Sequence, residues 1–185
     1  MAVVNRFFEE RVEQLFDLAK LVEEIFSSAG IEYRIVGGLA VDLYVEEVEP
    51  DAGRLTKDID IAVRREDLGR IAEAAKPFGL ELRHVAGVDM LVRPDQPSAR
   101  RAVHLVFAGE KFCPEYVTAT PSLGAPRRMG GLRLIPLAEL MKLTSFRAKD
   151  EAHIKDFDDA GLLPPGIEAS LPPELAERLA RTRLR

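Results

Sequence analysis

Residues 57–63 read Lys-Asp-Ile-Asp-Ile-Ala-Val and are the most informative segment of the sequence. Its alternation of charged and apolar residues predicts a β-strand, because successive side chains of a strand point to opposite faces. Ile59 and Ile61 then face a core, while Asp58 and Asp60 share the other face, roughly 6–7 Å apart. Two carboxylates so placed can bind divalent cations, which prefer oxygen ligands together with substrate phosphates. The alternative meaning of an isolated Asp-x-Asp is the solvated face of an edge strand.

A glycine pair lies upstream of this strand. The β-prone run of residues 31–36 ends at Gly37 and Gly38, and the pattern of residues 39–45 then suits a short helix. Glycines between a strand and a helix let a phosphate approach the backbone, and the helix N-terminus adds N–H donors. Gly-Gly alone more commonly marks a tight turn without a ligand. The order of the two signals along the chain is therefore more specific than either signal.

Helical and strand patterns alternate along the rest of the chain. Predicted helices cover residues 5–29, 39–45, 66–78, 137–146, 150–160 and 173–184. Predicted strands cover residues 31–36, 57–63, 80–85, 88–92, 102–108 and 132–135. Segments with proline or glycine at 46–54, 93–99 and 114–131 predict loops. This order indicates an α/β (α+β) domain with an N-terminal helix and a C-terminal helical extension.

Composition limits the function classes. The 185 residues carry 26 Lys+Arg and 31 Asp+Glu, and the net charge of −5 argues against a long nucleic-acid footprint. The single cysteine, Cys113, excludes an internal disulfide and a multi-cysteine zinc site, and it fits a reducing compartment. The sequence has neither a signal-peptide pattern at its start nor an apolar run of about 18 residues, which a membrane helix needs. We therefore expect a cytoplasmic protein that does not enter a membrane.

Two motifs in this order resemble a known family. Residues 35–40 (Ile-Val-Gly-Gly-Leu-Ala), followed by residues 54–61 (Arg-x-Thr-Lys-Asp-Ile-Asp-Ile), are similar to the DNA polymerase β-like nucleotidyltransferases. The resemblance is greatest to small bacterial members, which include antibiotic nucleotidyltransferases and toxins of the AbiEii type. It continues through residues 135–140 (Ile-Pro-Leu-Ala-Glu-Leu) and 142–150, so that it spans residues 31–160.

This resemblance implies a fold and a division of the chain. The expected fold is a nucleotidyltransferase-type mixed sheet flanked by helices. Residues 1–135 are expected to form the core with its N-terminal helix, and residues 136–185 a helical extension packed on that core. In the family the Asp-x-Asp strand binds two Mg²⁺ ions, so the resemblance implies that Asp58 and Asp60 are catalytic metal ligands for Mg²⁺ or Mn²⁺.

The nucleotide site is also implied by the resemblance. In the family the strand–glycine–helix unit holds a nucleoside triphosphate (NTP), which assigns nucleotide binding to Gly37 and Gly38. Lys142 and Arg147 fall in the later matching segment, where a cation can neutralise phosphate charge during transfer. An ordinary charged helix surface is the alternative reading of these two cations.

One position departs from the family pattern. The family usually has a third carboxylate on a later central strand, and here the matching strand, residues 102–108, carries His104 at that position. Four roles stay open for His104: a general base, a ligand for another metal, the mark of a member that binds nucleotide without transfer, and a hydrogen-bonded strand histidine. Asp89, on the preceding predicted strand, is a second candidate for the missing metal ligand. The pairing register that decides between them cannot be read from one sequence.

Three hypotheses for function follow. The first is a Mg²⁺-dependent nucleotidyltransferase that moves a nucleoside monophosphate from an NTP to an acceptor hydroxyl, with Asp58, Asp60 and His104 as catalytic residues. The second is a degenerate, non-catalytic member that binds a nucleotide or a partner protein. The third is metal-dependent phosphoester hydrolysis by the same carboxylates. A small molecule, a protein or RNA is compatible with the family as acceptor, and so is association with an antitoxin or as a homodimer.

Overall fold

The computed structural model describes residues 2–50, 56–95, 97–98, 101–144 and 147–184. Within these ranges the chain forms six α-helices and seven β-strands. The helices are α1 (Ala2–Ser28), α2 (Gly37–Glu46), α3 (Leu68–Ala75), α4 (Leu137–Lys142), α5 (Ala148–Asp159) and α6 (Pro173–Arg183). The strands are β1 (Tyr33–Val36), β2 (Ile59–Val63), β3 (Glu81–Val85), β4 (Val88–Val92), β5 (Val103–Phe107), β6 (Arg127–Met129) and β7 (Leu132–Leu134).

All seven strands belong to one mixed sheet in the order β3-β4-β5-β2-β1-β7-β6. The central strand β2 pairs in parallel with β5 and antiparallel with β1. β7 extends the sheet in parallel beyond β1, while the β3–β4 hairpin extends it antiparallel beyond β5. The predicted fold class, an α/β domain with a mixed sheet flanked by helices, is confirmed.

The two faces of the central strands have different environments. The ring of Tyr33 in β1 lies edge-on to Phe26 of α1, with 5.3 Å between ring centroids, so this face of the sheet packs on α1. Ile35 and Ile61 pair across β1 and β2, and both are almost completely buried. Asp60 lies one residue before Ile61 and so points to the opposite face. Alternation along β2 therefore separates the apolar core from the carboxylate face, as the sequence predicted.

The C-terminal helices pack on the rest of the domain. Phe157 of α5 is buried and its ring lies edge-on to Tyr44 of α2, 6.4 Å away. Leu175 and Leu179 of α6 are buried in the same hydrophobic cluster as the residues of the central sheet. This packing fixes α5 near the N-terminal part of the chain. The division into a core at 1–135 and an extension at 136–185 stays a prediction.

The predicted elements recur with small changes at their ends. Each predicted strand is present with its ends moved by two residues or fewer, but the predicted loop at 114–131 contains a further strand, β6. The sequence Arg-Arg-Met of β6 lacks apolar alternation, and its strand conformation comes from antiparallel pairing with β7. Parts of three predictions lie outside the described residues: Arg54 with the end of the first loop, the loop positions 96 and 99, and the helix end at 145–146.

None of the helices in the described ranges combines the length and the apolar character that crossing a bilayer requires.

A partly buried carboxylate joins α1 to two strands. Glu23 of α1 accepts hydrogen bonds from the Tyr33 hydroxyl at 2.5 Å, from the Ser27 hydroxyl at 2.6 Å and from Arg133 Nη2 at 2.9 Å. Burial by itself raises the pKa of Glu23, but these hydrogen bonds hold it below its ordinary value of 4.5. A carboxylate with a lowered pKa stabilises the folded state above the ordinary pKa, and this stabilisation is lost as the pH falls through the folded pKa.

We expect Glu23→Gln to lower the free energy of unfolding by about 1–2 kcal/mol at pH 7, because it removes charge-assisted hydrogen bonds. The difference from the unsubstituted protein should shrink as the pH falls below 4.5, the ordinary pKa of Glu23. Urea unfolding at several pH values measures both effects. Glu24→Gln, at an exposed position of the same helix, is the matched control and should change stability little. Equal losses in the two variants would contradict the assigned role of Glu23.

Candidate active site

Two carboxylates and one imidazole meet on the face of the sheet opposite α1. The register pairs Asp60 of β2 with His104 of β5, so both side chains leave the sheet on the same face. His104 Nδ1 lies 3.2 Å from Asp60 Oδ1 and 3.6 Å from Asp58 Oδ2. One ligand atom from each of the three residues lies within 4.8 Å of the others, an arrangement that could hold a divalent cation. Among the described residues, no other three potential metal ligands of these types are grouped in this way.

Asp58 is positioned by its own chain segment. It lies in a bend just before β2 begins at Ile59, rather than inside the strand. The Thr56 hydroxyl donates a hydrogen bond to Asp58 Oδ1 at 3.1 Å. This hydrogen bond orients the Asp58 carboxylate. Because Asp58 lies outside the sheet, the alternation of β2 does not direct its side chain.

The glycine pair lies against Asp60 and Thr56. Gly37 has a φ of +65°, which side-chain-bearing residues rarely adopt, and a Cβ placed there would lie 2.2 Å from Asp60 Oδ2. A Cβ on Gly38 would lie 2.8 Å from Thr56 Oγ1. Both glycines therefore let β2 and the segment before it approach the start of α2. This close approach is a structural reason for the pair that exists without any ligand.

The same glycines form the first turn of α2. Val36 is the residue before the helix and makes no side-chain hydrogen bond to it. The first N–H groups of a helix have no partner within the helix, and together with the helix dipole they favour an anion. The start of α2 thus places backbone donors beside Asp60.

A cation from α5 faces the carboxylates. Arg147 precedes α5 and donates to both Asp150 oxygens, at 3.0 and 2.9 Å, and its guanidinium lies 5.3 Å from the Tyr116 ring centroid. Burial by itself lowers the pKa of Arg147, but Asp150, with Tyr116 and Asp60 adding smaller effects, raises it above its ordinary value. Arg147 therefore keeps its positive charge at the site.

Two titratable neighbours are neutral. Burial lowers the pKa of His153 below its ordinary value of 6.5, and burial raises the pKa of Tyr116 to about 12. At pH 7 the His153 imidazole and the Tyr116 phenol therefore carry no charge. Arg147 and Lys149 line the same cavity as Asp58, Asp60 and His104.

These groups surround a cavity of about 390 Å³, a volume in the range of small-molecule sites. Its lining includes six residues predicted from the sequence, namely Gly37, Gly38, Asp58, Asp60, His104 and Arg147. The structure therefore brings together six of the eight predicted site residues, which are far apart in the sequence.

Asp89 and Lys142 lie apart from this group. Met90 pairs with His104, so Asp89, one residue earlier on β4, points to the opposite face of the sheet, where His84 Nδ1 lies 2.8 Å from its carboxylate. Lys142 Nζ donates to Glu139 at 2.8 Å, and Lys142 does not line the cavity. The register that sequence alone left open thus places His104, and not Asp89, beside Asp60.

Sequence reasoning gave no role to Thr56 and did not single out Tyr116. The position of Thr56 in the sequence could have predicted its contact with Asp58. It lies two residues before Asp58 inside the quoted motif, and a hydroxyl at that spacing often donates a hydrogen bond to a nearby acceptor. Tyr116 had none, because it lies in a segment predicted as loop and reaches Arg147 only through the tertiary fold.

Comparison with known proteins finds similarity in structure but not in sequence. No protein-family model matches the chain, and no curated protein matches it. A nucleotidyltransferase-like protein from Paracoccidioides brasiliensis is similar with a TM-score of 0.55 and 20% identity, covering 91% of this chain and 87% of that one. The antibiotic-resistance factor ANT(2'')-Ia matches with a TM-score of 0.48 and 18% identity, covering 95% of this chain and 86% of that one. The first likeness identifies the fold as a nucleotidyltransferase fold, as the sequence resemblance implied.

We expect Gly37→Ala to disrupt the site, because its Cβ would collide with the Asp60 carboxylate at a positive φ. The variant should bind Mn²⁺ at least about tenfold more weakly, equivalent to about 1.4 kcal/mol. Titration calorimetry measures the Mn²⁺ affinity, and thermal unfolding measures the effect of the substitution on stability. Gly69→Ala is the matched control, since a Cβ at Gly69 of α3 meets nothing within 4 Å. That change should leave Mn²⁺ binding unaltered and slightly raise stability; equal Mn²⁺ affinity in both variants would contradict the close-approach argument.

Proposed function

We propose that the chain is a metal-dependent nucleotidyltransferase that moves a nucleoside monophosphate from an NTP to an acceptor hydroxyl. One observation carries the proposal: the Asp58, Asp60 and His104 ligand atoms lie within 4.8 Å of one another, beside the start of α2. A group that can bind a cation thus lies next to backbone donors that can bind a polyphosphate. The nucleotidyltransferase fold supports this combination but does not by itself establish the reaction.

The chain's own groups suit binding of the triphosphate. The N–H groups of the first turn of α2, at Gly37 and Gly38, would donate to phosphate oxygens, and the helix dipole favours their negative charge. Arg147 and Lys149 line the same cavity and would offset further negative charge. Lys142 has no part in this proposal, because its ammonium group is directed to Glu139. Of the two cations for which the resemblance implied this role, the proposal therefore retains Arg147.

The donor set fits a divalent metal ion. Asp58 and Asp60 supply carboxylate oxygens and His104 supplies Nδ1. A bound ion would neutralise phosphate charge and favour ionisation of the acceptor hydroxyl. Mg²⁺ prefers oxygen ligands throughout, whereas Mn²⁺ also accepts an imidazole nitrogen. Of the two metals expected from the sequence, we therefore assign Mn²⁺ as the better match for this site.

The non-catalytic alternative has less support. That alternative was based on His104 standing where the family has a carboxylate. His104 Nδ1, however, points at both aspartates and can bind a metal ion together with them. Hydrolysis by the same carboxylates is distinguished from transfer by its product. Transfer releases pyrophosphate, whereas hydrolysis of the terminal phosphate releases inorganic phosphate. An antitoxin partner, a homodimer and a cytoplasmic location stay predictions from the sequence.

We expect Asp60→Asn to reduce nucleotide transfer by about 10²-fold or more, because a preorganised charge is lost from the site. The assay follows pyrophosphate release from each of the four NTPs with Mn²⁺ or Mg²⁺. Asp89→Asn is the matched control and should retain activity, because Asp89 lies on the opposite face of the sheet. Unchanged transfer by folded Asp60→Asn protein would refute the proposed function. Phosphate release without pyrophosphate would identify hydrolysis instead.

We expect His104→Asp to shift the metal preference toward Mg²⁺, because the third ligand then becomes an oxygen. The ratio of the rate with Mg²⁺ to the rate with Mn²⁺ should rise about tenfold, which corresponds to about 1.4 kcal/mol. His84→Asp, made at the exposed histidine beside Asp89, is the control and should leave the ratio unchanged. An unchanged ratio for His104→Asp would contradict the role of His104 as a metal ligand.

A further inference from the structure

The cavity has an apolar wall on one side of the metal-ligand group. In the sheet order, β5 with His104 is followed by β4, where Met90 pairs directly with His104. Val88 lies two residues before Met90 and so shares its face. The wall continues with Val85 and Ala86 at the hairpin turn, and all four of these hairpin residues line the cavity. It therefore lies on the side of His104 that is away from the glycines of α2.

Large apolar side chains are exposed at this wall. Val85 is 52% exposed and Phe112, which follows β5, is 42% exposed. Both line the cavity, and the Phe112 ring lies edge-on to Tyr116 at 5.9 Å. Single exposed apolar residues are common on protein surfaces, but exposed apolar residues that converge in a cavity indicate a binding site.

Among the described residues that line the cavity, none of the charged ones belongs to this wall. The lining residues of the wall, from the β3–β4 hairpin and Phe112, are all apolar. The carboxylates that line the cavity are Asp58 and Asp60, which belong to the metal-ligand group, and Asp150, which holds Arg147 through two hydrogen bonds. The wall thus offers neither the carboxylates that recognise a polycation nor the cations that recognise a polyanion.

The geometry points to this wall, formed by Val85, Ala86, Val88, Met90 and Phe112, as an acceptor subsite for a neutral, apolar small molecule that carries a hydroxyl group. The inference rests on the proposed function for the reaction, and it adds the chemical class of the acceptor. Removal of the molecule's apolar surface from water drives its binding. Because Met90 neighbours His104 across the strands, a hydroxyl at the edge of the bound molecule lies near the metal-ligand group.

The transfer is balanced with such an acceptor. The hydroxyl oxygen forms a new bond to the α-phosphorus of the NTP, and the bond between the α-phosphorus and the bridging oxygen breaks. Pyrophosphate leaves with that bond's electron pair, and the hydroxyl proton is released to water. No oxidant, reductant or further reactant is needed.

The test uses 2-naphthol, a neutral aromatic alcohol whose fluorescence reports its transfer out of water. Val85→Lys and Phe112→Lys place a charge at the wall, and we expect each to weaken 2-naphthol binding about tenfold or more. Val48→Lys is the matched control, because Val48 is 50% exposed and does not line the cavity. It should bind 2-naphthol as the unsubstituted protein does. Thermal unfolding of all three variants checks that each is folded, and at these exposed positions we expect small changes.

Competition identifies the class of acceptor. Neither tobramycin, a polycation, nor a short single-stranded RNA should displace 2-naphthol. Displacement by either compound would overturn the inference. So would a failure of the unsubstituted protein to bind 2-naphthol, or unchanged 2-naphthol affinity in both wall variants. The affinity of each variant for an NTP with Mn²⁺ is measured separately by calorimetry. Weakened NTP binding in the wall variants, with 2-naphthol binding intact, would instead assign the wall to the nucleobase and overturn the inference.

Failure of the proposed function can be distinguished from failure of the acceptor assignment alone. If the chain is not a nucleotidyltransferase, no NTP yields pyrophosphate and Asp60→Asn has no effect on turnover, whatever the wall binds. If only the acceptor class is wrong, NTP binding and its dependence on Asp60 persist, while the wall variants and Val48→Lys bind 2-naphthol equally.

Discussion

The close approach of the Asp60 carboxylate to the backbone of Gly37 is the constraint on which the site depends. Any side chain at position 37 would occupy the space that Asp60 Oδ2 fills. Because this space is open, two carboxylates and an imidazole can gather beside the start of a helix. Grouped negative charges repel one another, and the neighbouring groups reduce that cost: the dipole of α2, the hydroxyl of Thr56 and the guanidinium of Arg147.

Packing far from the carboxylates holds this arrangement in place. β2 is central in the sheet, and its apolar residues are buried, so its position and register are strongly specified. The edge-on contact between Phe157 and Tyr44 seats α5 on α2, and α5 carries Arg147 at its start. The hydrogen bonds of Glu23 join α1 to the opposite face. These three contributions come from residues that do not line the cavity.

Local sequence determined the elements and part of the site. Alternation in residues 57–63 predicted a strand with Asp58 and Asp60 on one face, because side-chain direction in a strand repeats every two residues. The glycine pair predicted a strand-to-helix junction that permits close backbone approach. The order of the elements indicated an α/β domain, and the resemblance carried by these motifs implied the mixed sheet and its fold family. Local patterns failed at β6, whose three residues form a strand only because β7 lies beside them, and at Asp58, which lies just outside its strand.

The tertiary structure alone decided which distant residues share the cavity. Strand register is set by packing and pairing between segments, so one sequence could not choose between His104 and Asp89. Because Met90 pairs with His104, Asp89 points to the other face of the sheet. Lys142 is hydrogen-bonded to Glu139 and does not line the cavity, whereas Arg147 does. The apolar wall likewise exists only in three dimensions, because Phe112 and the β3–β4 hairpin meet across a folded chain. Sequence thus determined the reactive groups, and long-range packing determined their neighbours.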